Sequence, residues 1–345
     1  MRAVVFTQFG GPLSVTDVEA PVPTPHGAVI EVRATGVCRS DWHGWQGHDP
    51  DVHVPHVPGH EFAGVIAAVG DEVTRWQPGD RVTVPFVCAC GTCEACVAGD
   101  HQVCENQTQP GFTHAGSFAE LVRIDHADVN LVRLPDDLDF IPAAALGCRF
   151  ATAYRAVRVH GQVTSGQWVA VHGCGGVGLS AVMIATALGA RVVAIDVSDA
   201  ALALARELGA VATIDSREVD DVGGRVVELT EGGAHVSIDA FGSETTCAAS
   251  IESLRRRGRH VQVGLLPEAL GRPHVPMARV VWMELSIHGS HGMAAHEYGP
   301  MLQMVADGTL RPDRLVTDVI SLDDAPAALT ALSGSTAPGT RVIVP

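Results

Sequence analysis

The sequence predicts an α/β protein in which a mostly β domain is followed by a doubly wound, parallel six-stranded sheet. Up to about residue 145, short strand-like runs alternate with turn signals, whereas from Gln167 onward strands alternate with helices. A glycine-rich turn at 173–178 separates a predicted strand from a predicted helix. At 345 residues, 46% of them hydrophobic, the chain is long enough to form two hydrophobic cores.

The first part of the chain has the composition of an irregular β domain. Alternating apolar residues predict strands at 1–6, 28–33, 62–69 and 81–84, and the turn Pro78-Gly79-Asp80 precedes the last of them. The N-terminal segment therefore has the pattern of a strand and not of a secretory signal peptide. We expect a cytoplasmic protein, in which the nine cysteines stay reduced.

The second part alternates strands with helices, which predicts right-handed βαβ units. Strands are expected at 168–172, 191–196, 211–214, 236–239, 260–263 and 285–288, with helices at 177–188 and 200–208. A helix at 298–306 and a strand at 341–344 follow, in a segment too short to fold alone. We therefore expect a catalytic domain at 1–150, a nucleotide-binding domain at 151–288, and a segment at 289–345 that returns to the first domain.

Charge and hydropathy exclude several classes of function. The net charge of −16 argues against a nucleic-acid partner, and no apolar run reaches the roughly 20 residues that cross a bilayer. All 23 basic residues are arginine, which excludes Schiff-base enzymes and P-loop nucleotide hydrolases that need a lysine. The one basic run, residues 255–259, is expected to be a solvated helix end.

The glycine-rich turn predicts a dinucleotide-binding Rossmann fold. It fits G-x-G-x-x-G, in which glycines permit the tight turn, close approach of a pyrophosphate, and packing of helix on strand; its residues are Gly173, Cys174, Gly175, Gly176, Val177 and Gly178. Asp196 ends the next predicted strand, where a carboxylate binds the adenosine ribose. Because Val197, Ser198 and Asp199 provide no arginine for a 2′-phosphate, we expect NAD and not NADP.

Four closely spaced cysteines predict a structural zinc site. Their spacings of two, two and seven intervening residues suit four thiolates around one tetrahedral ion, with no position left for substrate; the residues are Cys90, Cys93, Cys96 and Cys104. An iron–sulfur cluster is the alternative, but its bacterial pattern has three residues before the fourth cysteine and a proline after it. Cys88 is left over and is expected to be a free buried thiol.

A second metal site would have to be assembled from distant residues. Cys38, His60 and Cys148 are candidates, yet a single cysteine or histidine is more often buried or solvated than a ligand. Histidines at 43, 48, 53, 56 and 60 crowd this region. Spacing alone therefore does not select the ligands.

Nearly the whole chain resembles the zinc-containing medium-chain alcohol dehydrogenases. The resemblance rests on several motifs in the family order: Gly-Val-Cys-x-Ser-Asp at 36–41, Gly-His-Glu at 59–61, the four-cysteine segment, Gly-Cys-x-Phe-x-Thr at 147–152, the glycine turn, and Asp196. It implies a GroES-like fold for the first domain. A lysine that many relatives carry shortly after the ribose-binding aspartate has no counterpart at 197–202.

The resemblance also implies roles for individual residues. Cys38, His60 and Cys148 would hold a catalytic zinc ion, so that each chain binds two zinc ions, with Asp41 orienting His60 and Glu61 lying just behind the metal. Arg39 and Arg341 would contact the cofactor pyrophosphate. The nicotinamide would pack on Thr152 and Val177, with Gly264 near its amide.

The implied reaction moves a hydride between NAD and a primary or secondary alcohol, or the matching aldehyde or ketone. Zinc with an open position lowers the pKa of a bound oxygen, which prepares the alcohol for hydride loss. The resemblance implies that the alcohol proton passes from Ser40 through a ribose hydroxyl of the cofactor to His43. The alternative interpretation of His43 is a solvated histidine on a loop, with no role in proton transfer.

Two other functions stay open at this stage. A zinc-dependent polyol or amino-alcohol dehydrogenase would use the same residues with a more polar pocket; Asp49 favours it, whereas Phe86, Trp42 and Trp45 favour apolar substrates unless they belong to the core. A non-enzymatic NAD-binding structural or sensor protein is the alternative from another class. The expected partners are a small alcohol or carbonyl compound and, by family, further copies of the chain, with a tetramer favoured over a dimer.

Overall fold

A computed structural model describes residues 1–266, 273–334 and 337–345. These residues form two compact units. The first comprises Met1–Ala151 and two later segments that begin at Gly292 and Thr340, and the second comprises Thr152–His291. Within the described ranges, no helix is both long enough and apolar enough to cross a membrane.

The N-terminal part of the first unit is built from short strands joined by turns and brief helices. In chain order its elements are β1 (Arg2–Phe6), β2 (Leu13–Asp17), β3 (Ala28–Gly36), α1 (Arg39–Trp45), β4 (Glu61–Val69), β5 (Arg81–Thr83), α2 (Glu94–Val97), β6 (Leu121–Ile124), α3 (Ala127–Asn130), β7 (Val132–Arg133) and α4 (Phe140–Ala144). A 3₁₀ turn at His101–Val103 and a π-helical turn at Leu146–Phe150 complete it.

The second unit is a parallel sheet with connecting helices. After α5 (Ala151–Arg155) and a π-helical turn at Ala156–His160, its elements are β8 (Trp168–His172), α6 (Gly176–Ala187), β9 (Arg191–Asp196), α7 (Asp199–Glu207), β10 (Ala212–Asp215), α8 (Val222–Leu229), β11 (Ala234–Asp239), α9 (Glu244–Glu252), β12 (Leu254–Gln262), α10 (Met277–Met283) and β13 (Ser286–Gly289). The strand order is β10-β9-β8-β11-β12-β13, and every pair is parallel.

This strand order has a functional consequence. The connections leave β8 in one direction for β9 and β10 and in the other for β11, β12 and β13. Ligands of doubly wound sheets bind at the carboxyl ends of the strands where the order reverses. The carboxyl end of β8 is therefore the expected cofactor position, and it is where the glycine turn begins.

The C-terminal part adds α11 (Tyr298–Ala306), β14 (Val316–Ser321), α12 (Ala325–Thr330) and β15 (Thr340–Val344), with 3₁₀ turns at Ala295–Glu297, Pro312–Leu315 and Leu322–Asp324. Strand β15 pairs with β3 and extends the sheet of the first unit to seven strands, in the order β14-β15-β3-β4-β5-β7, with β6 also paired to β3. Strands β1 and β2 form a separate antiparallel pair. A mostly β first unit and a doubly wound sheet in the second unit confirm the predicted fold class.

The sequence analysis predicted that the basic run at 255–259 is a solvated helix end. This prediction is wrong, because the run is part of β12. Helix α9 ends at Glu252, and the pairing of β11 with β12 then jumps from Ala234–Leu254 to Val236–Arg259. The run forms the resulting bulge, in which Arg257 has a left-handed φ of 60°. Backbone pairing with β11 here outweighs a local sequence that has no strand-like alternation.

Candidate active site

The four predicted zinc-binding cysteines lie together on one lobe of the first unit. Helix α2 and the 3₁₀ turn that follows it bring Cys96 and Cys104 back toward Cys90 and Cys93. The Sγ–Sγ distances are 3.4 Å for Cys93–Cys96, 3.5 Å for Cys90–Cys104, 3.7 Å for Cys93–Cys104 and 4.0 Å for Cys90–Cys96. All four thiols are free, and their sulfur atoms lie within 4.8 Å of one another.

These distances fit a single tetrahedral ion. Four sulfurs at about 2.3 Å from zinc lie about 3.8 Å apart, whereas disulfide-bonded sulfurs lie about 2.05 Å apart. The Thr92 hydroxyl and the Thr92 and Cys93 backbone N–H groups donate hydrogen bonds to Cys90, and they lower the pKa of its thiol to about 5. Such donors favour the thiolate, which is the form that binds metal.

A second group of potential metal ligands comes from three distant parts of the first unit. Strand pairing places Gly36 opposite Glu61, so Cys38, at the N-cap of α1, lies close to His60, at the start of β4. The π-helical turn contributes Cys148. One ligand atom from each of Cys38, His60, Glu61 and Cys148 lies within 4.8 Å of the others.

The imidazole of His60 has the environment of a metal ligand. His60 is 1% exposed, and its Nε2 is buried without a hydrogen-bond partner among the described residues. Its Nδ1 lies 2.7 Å from Asp41 Oδ1. Asp41, itself buried, also accepts hydrogen bonds from the backbone N–H groups of Cys38 and Gly59. One carboxylate thus fixes two of the candidate ligand positions.

The two remaining thiols, Cys38 and Cys148, shift each other's pKa. A hydrogen bond between Cys38 and Cys148 lowers the pKa of Cys38 well below its ordinary value, against the effect of burial. The same hydrogen bond raises the pKa of Cys148 well above its ordinary value, and burial adds to that rise. Two thiols next to a buried imidazole nitrogen without a partner among the described residues form a donor set that suits zinc.

Glu61 forms a buried ion pair that the sequence analysis did not foresee. Arg149 Nε lies 2.9 Å from both Glu61 carboxylate oxygens, the Arg149 Nη2 contacts Oε2, and the Arg149 backbone N–H donates to Oε1 at 2.8 Å. Glu61 is fully buried, and Arg149 is 9% exposed. The position of Arg149, directly after Cys148, is the only signal that could have indicated it.

Tyr298 is a second residue that supports the site and that the sequence analysis missed. The sequence placed it only at the start of a predicted helix. Its hydroxyl donates to the backbone carbonyl of Gly147 at 3.0 Å, and the side chain is fully buried. Tyr298 thereby anchors the turn that carries Cys148. Its pKa is raised well above the ordinary value, chiefly by burial, so the phenol keeps its proton as the donor.

Of the aromatic residues considered as pocket lining, only some lie near this cluster. The Phe86 ring centroid is 6.3 Å from that of His60, and Phe112, which was not predicted, is at 5.3 Å. Trp45 belongs to a core cluster, where its Nε1 donates to the Gly11 carbonyl. Trp42 is partly buried and packs against the same cluster.

The residues proposed for proton transfer and pyrophosphate binding lie on or beside α1. Ser40 and His43 are both partly exposed. Arg39 donates to the Leu332 carbonyl at 2.7 Å. The backbone carbonyl of Arg341, on β15, accepts from Val37 N–H at 2.9 Å, so both predicted pyrophosphate contacts lie at the same end of the first unit.

In the second unit, the glycine turn joins β8 to α6. Gly173 has a left-handed φ of 89°, and a Cβ on Gly178 would lie 1.7 Å from the Gly173 carbonyl oxygen. A Cβ on Gly175, the N-cap of α6, would meet nothing within 4 Å, which leaves room for a phosphate. Gly176 and Val177 form the first turn of α6.

Asp196 ends β9 beside this turn. Its Oδ2 accepts from the backbone N–H of Cys174 at 2.5 Å, and its Oδ1 accepts from Ser198 N–H at 2.8 Å. The structure adds Arg217, which the sequence analysis missed because this residue follows β10 and not β9. Arg217 Nη2 lies 3.1 Å from Asp199 Oδ1 and also pairs with Asp215.

The other two predicted cofactor contacts also lie in the second unit. Thr152 is buried, and its hydroxyl has no partner in the described part of the chain. Gly264 follows β12, where a Cβ would lie 2.2 Å from the Gly242 backbone nitrogen. Backbone packing thus accounts for glycine at 264, and the free Thr152 hydroxyl is suited to contact a ligand.

Comparisons with known proteins agree with this description. Residues 24–136 match the family model described as an alcohol dehydrogenase GroES-like domain, and residues 176–307 match that described as a zinc-binding dehydrogenase. An alcohol dehydrogenase of Geobacillus stearothermophilus is 36% identical over 313 residues, which are 90% of each chain.

Solved structures extend the similarity. The alcohol dehydrogenase of Thermus sp. ATN1 superposes with a TM-score of 0.91 at 34% identity, over 100% of this chain and 99% of that one. The 2R,3R-butanediol dehydrogenase of Bacillus subtilis superposes with a TM-score of 0.86 at 28% identity, over 100% and 99%. The chain therefore belongs to the zinc-containing medium-chain alcohol dehydrogenases and is an alcohol oxidoreductase that depends on zinc and a nicotinamide dinucleotide.

Proposed function

We propose that the chain transfers a hydride between NAD(H) and a primary or secondary alcohol, or the matching aldehyde or ketone, at a zinc ion held by Cys38, His60 and Cys148. The buried, unpartnered Nε2 of His60 next to two thiols carries this proposal. When bound, zinc supplies a Lewis acid that polarises the substrate oxygen. The four-cysteine site has no open position and holds a second, structural zinc ion.

The protein's own residues prepare the site. Asp41 keeps the His60 imidazole in the tautomer whose Nε2 is free to bind metal. The Arg149 guanidinium holds Glu61 just behind the ligands. The Ser40 hydroxyl accepts the proton of the substrate alcohol, and His43 receives that proton on its way to solvent.

The glycine turn, Asp196, Thr152, Val177 and Gly264 bind the cofactor in the second unit, and Arg39 and Arg341 bind its pyrophosphate. The carboxylate of Asp196 supports a preference for NAD, because it accepts hydrogen bonds from ribose hydroxyls and repels a 2′-phosphate.

Small apolar alcohols and carbonyl compounds are the proposed substrates. The Phe86 and Phe112 rings beside His60 support an apolar pocket. A vicinal diol is the second candidate, supported by the similarity to the butanediol dehydrogenase. Because both candidates use the same zinc site, relative rates on matched mono-alcohols and diols distinguish them.

We also propose a domain organisation, a cellular location and an oligomeric state for the chain. We assign a catalytic domain to residues 1–150, a cofactor domain to residues 151–288, and residues 289–345 to a segment that returns to the catalytic domain. A cytoplasmic location is supported by nine free cysteines.

A homotetramer is supported by apolar side chains that the second unit exposes. Strand β13 is an edge strand in which Ile287 is 44% exposed, and in α10 the side chains of Val281 and Trp282 are more than two-thirds exposed. Light scattering of the purified protein measures its mass.

The central test follows NADH absorbance with a panel of alcohols, diols, aldehydes and ketones. We expect turnover that stops when a chelator removes zinc and returns when zinc is restored. Absence of turnover with every compound, in protein shown to contain two zinc ions and to bind NAD, would contradict the proposed function.

A further inference from the structure

The turn after α1 brings a second histidine beside His43. Helix α1 ends at Trp45, and Gly47 then adopts a left-handed φ of 76°, a conformation that glycine permits at a helix end. The backbone N–H of His48 donates to the His43 carbonyl at 3.0 Å. Two histidines five positions apart in the sequence are thus held side by side by the backbone.

Their side chains are in direct contact. His43 Nδ1 lies 2.9 Å from His48 Nδ1. Both rings also pack edge-on against Trp42, at centroid distances of 5.0 Å and 5.7 Å. His43 is partly buried, whereas His48 is exposed. The pair therefore leads outward from the proposed relay residue to the solvent.

A contact between two Nδ1 atoms constrains the protons. One ring must donate and the other must accept, so a single proton lies between two neutral imidazoles, and the Nε2 atoms form the two outer ends of the pair. This is the arrangement of a two-step proton wire. We propose that His48 is a second proton-transfer residue, which takes the substrate-derived proton from His43 and delivers it to solvent; this inference rests on the proposed function.

The transfer balances in protons. The proton released by the alcohol arrives at His43 Nε2, and the proton on His43 Nδ1 passes to His48 Nδ1. His48 then releases its Nε2 proton to water, while the hydride goes to NAD⁺ and the alcohol becomes the carbonyl compound. Reversing each transfer supplies the proton for carbonyl reduction.

The charges around His43 favour onward transfer. Burial lowers the pKa of His43, the neighbouring His48 and Arg39 lower it further, and Cys38 opposes them. A His43 cation is therefore unfavourable, which favours passing the proton onward through the contact between the two Nδ1 atoms.

The test uses His48→Phe, which keeps a flat ring against Trp42 but carries no proton. Its matched control is His53→Phe, which replaces an exposed histidine five residues further along the chain. In weak buffer, we expect kcat for alcohol oxidation by His48→Phe to fall about 10-fold below pH 7, less than the roughly 100-fold typical of a group that takes the proton directly. Added imidazole should restore the rate, and the control should keep the wild-type profile.

The outcomes separate this inference from the proposed function. If His43→Ala is slowed at low pH while His48→Phe keeps the wild-type profile, His43 releases its proton directly and the inference is wrong. If neither variant is slowed, the proton path of the proposed function itself is wrong. A loss in His48→Phe that is equal at all pH values and unaffected by imidazole shows a packing role, and this also overturns the inference.

Discussion

Asp41 Oδ1 lies 2.7 Å from His60 Nδ1, and the same carboxylate holds the backbone N–H of Cys38 at 2.9 Å. Two candidate zinc ligands that are 22 positions apart thus depend on one buried acid. The carboxylate also raises the pKa of His60 well above its ordinary value, although burial opposes that rise. A more basic imidazole whose tautomer is fixed is a better ligand for zinc.

Asp41→Asn should therefore weaken binding of the catalytic zinc ion. The amide keeps the shape but loses the negative charge, and its NH₂ group cannot accept a hydrogen bond, so either the His60 contact or the Cys38 backbone contact is lost. We expect a loss of about 10- to 100-fold in zinc affinity, the range for such supporting groups. Chelator competition measures it, with Asp51→Asn on the exposed loop as the control. Equal zinc affinity in the two variants would show that Asp41 does not support the metal.

The two predicted zinc sites should be separable by mutation. Cys148→Ala should leave one zinc ion per chain and abolish turnover while the protein remains folded and binds NAD. Cys93→Ala should instead lose the other ion and unfold more readily, because a structural zinc ion contributes to the folding free energy. Metal analysis and denaturation on the same samples provide both measurements.

Cys88→Ala is the control for this pair. Cys88 is buried close to the lobe, and burial raises the pKa of its thiol to about 12, which disfavours the metal-binding thiolate. We expect two zinc ions in this variant. If Cys93→Ala still binds two zinc ions, or if the wild-type protein binds a single ion that only Cys148→Ala removes, the four-cysteine assignment is wrong.

Removing Arg149 should destabilise the fold through Glu61. Arg149→Met leaves a buried carboxylate without its partner, and breaking such a pair costs about 3 to 5 kcal/mol. Chemical denaturation measures the free energy of unfolding. Glu61→Gln added to Arg149→Met should recover part of the loss, because no buried charge then remains. If the double variant is no more stable than Arg149→Met, the unpaired charge is not the cause.

The pH dependence of this loss has a definite sign. Burial raises the pKa of Glu61 above its ordinary value of 4.5, and Arg149 partly offsets that rise. Without Arg149 the folded-state pKa rises further, so the folded protein binds the proton more tightly than the unfolded chain. That stabilisation is complete below pH 4.5 and is lost as pH increases through the folded-state pKa. The deficit of Arg149→Met should therefore be smallest near pH 4.5 and should grow as pH increases through the folded-state pKa.

Sequence patterns predicted the local elements of the fold better than its long-range contacts. The strands β8 and β9 and the helix α11 have the predicted bounds, because the apolar residues that predicted them are largely the buried ones. The basic run at 255–259 was assigned wrongly because its conformation depends on pairing with β11.

The same distinction applies to the site. The four cysteines of the lobe could be recognised together because they lie within 15 residues of one another. The partners of Glu61 and Gly147, by contrast, are Arg149 and Tyr298, which are brought in by pairing and packing across 88 and 151 positions. A single sequence contains no signal for such contacts. In the sequence, His48 was only one of several closely spaced histidines. The structure shows that the glycine turn brings it into contact with His43.

Cofactor preference should depend on Asp196. Its carboxylate faces the glycine turn, where it can accept from both ribose hydroxyls of NAD but would repel the 2′-phosphate of NADP. Arg217 follows Asp215, which pairs with Asp196 in the sheet, and the ion pairs of Arg217 with Asp199 and Asp215 offset its charge. We expect NAD to be preferred by about 100-fold or more in kcat/KM, equivalent to about 3 kcal/mol.

Asp196→Gly should narrow this preference, chiefly by weakening NAD binding and by removing the repulsion. Asp199→Asn is the matched control, since it removes a nearby charge but no proposed ribose contact; its preference should change much less. Steady-state kinetics with both cofactors at a fixed saturating alcohol measure the ratio. If the wild-type enzyme uses NAD and NADP equally, the role assigned to Asp196 is wrong. It is also wrong if Asp199→Asn shifts the ratio as much as Asp196→Gly, because the net charge at the sheet edge then governs the preference.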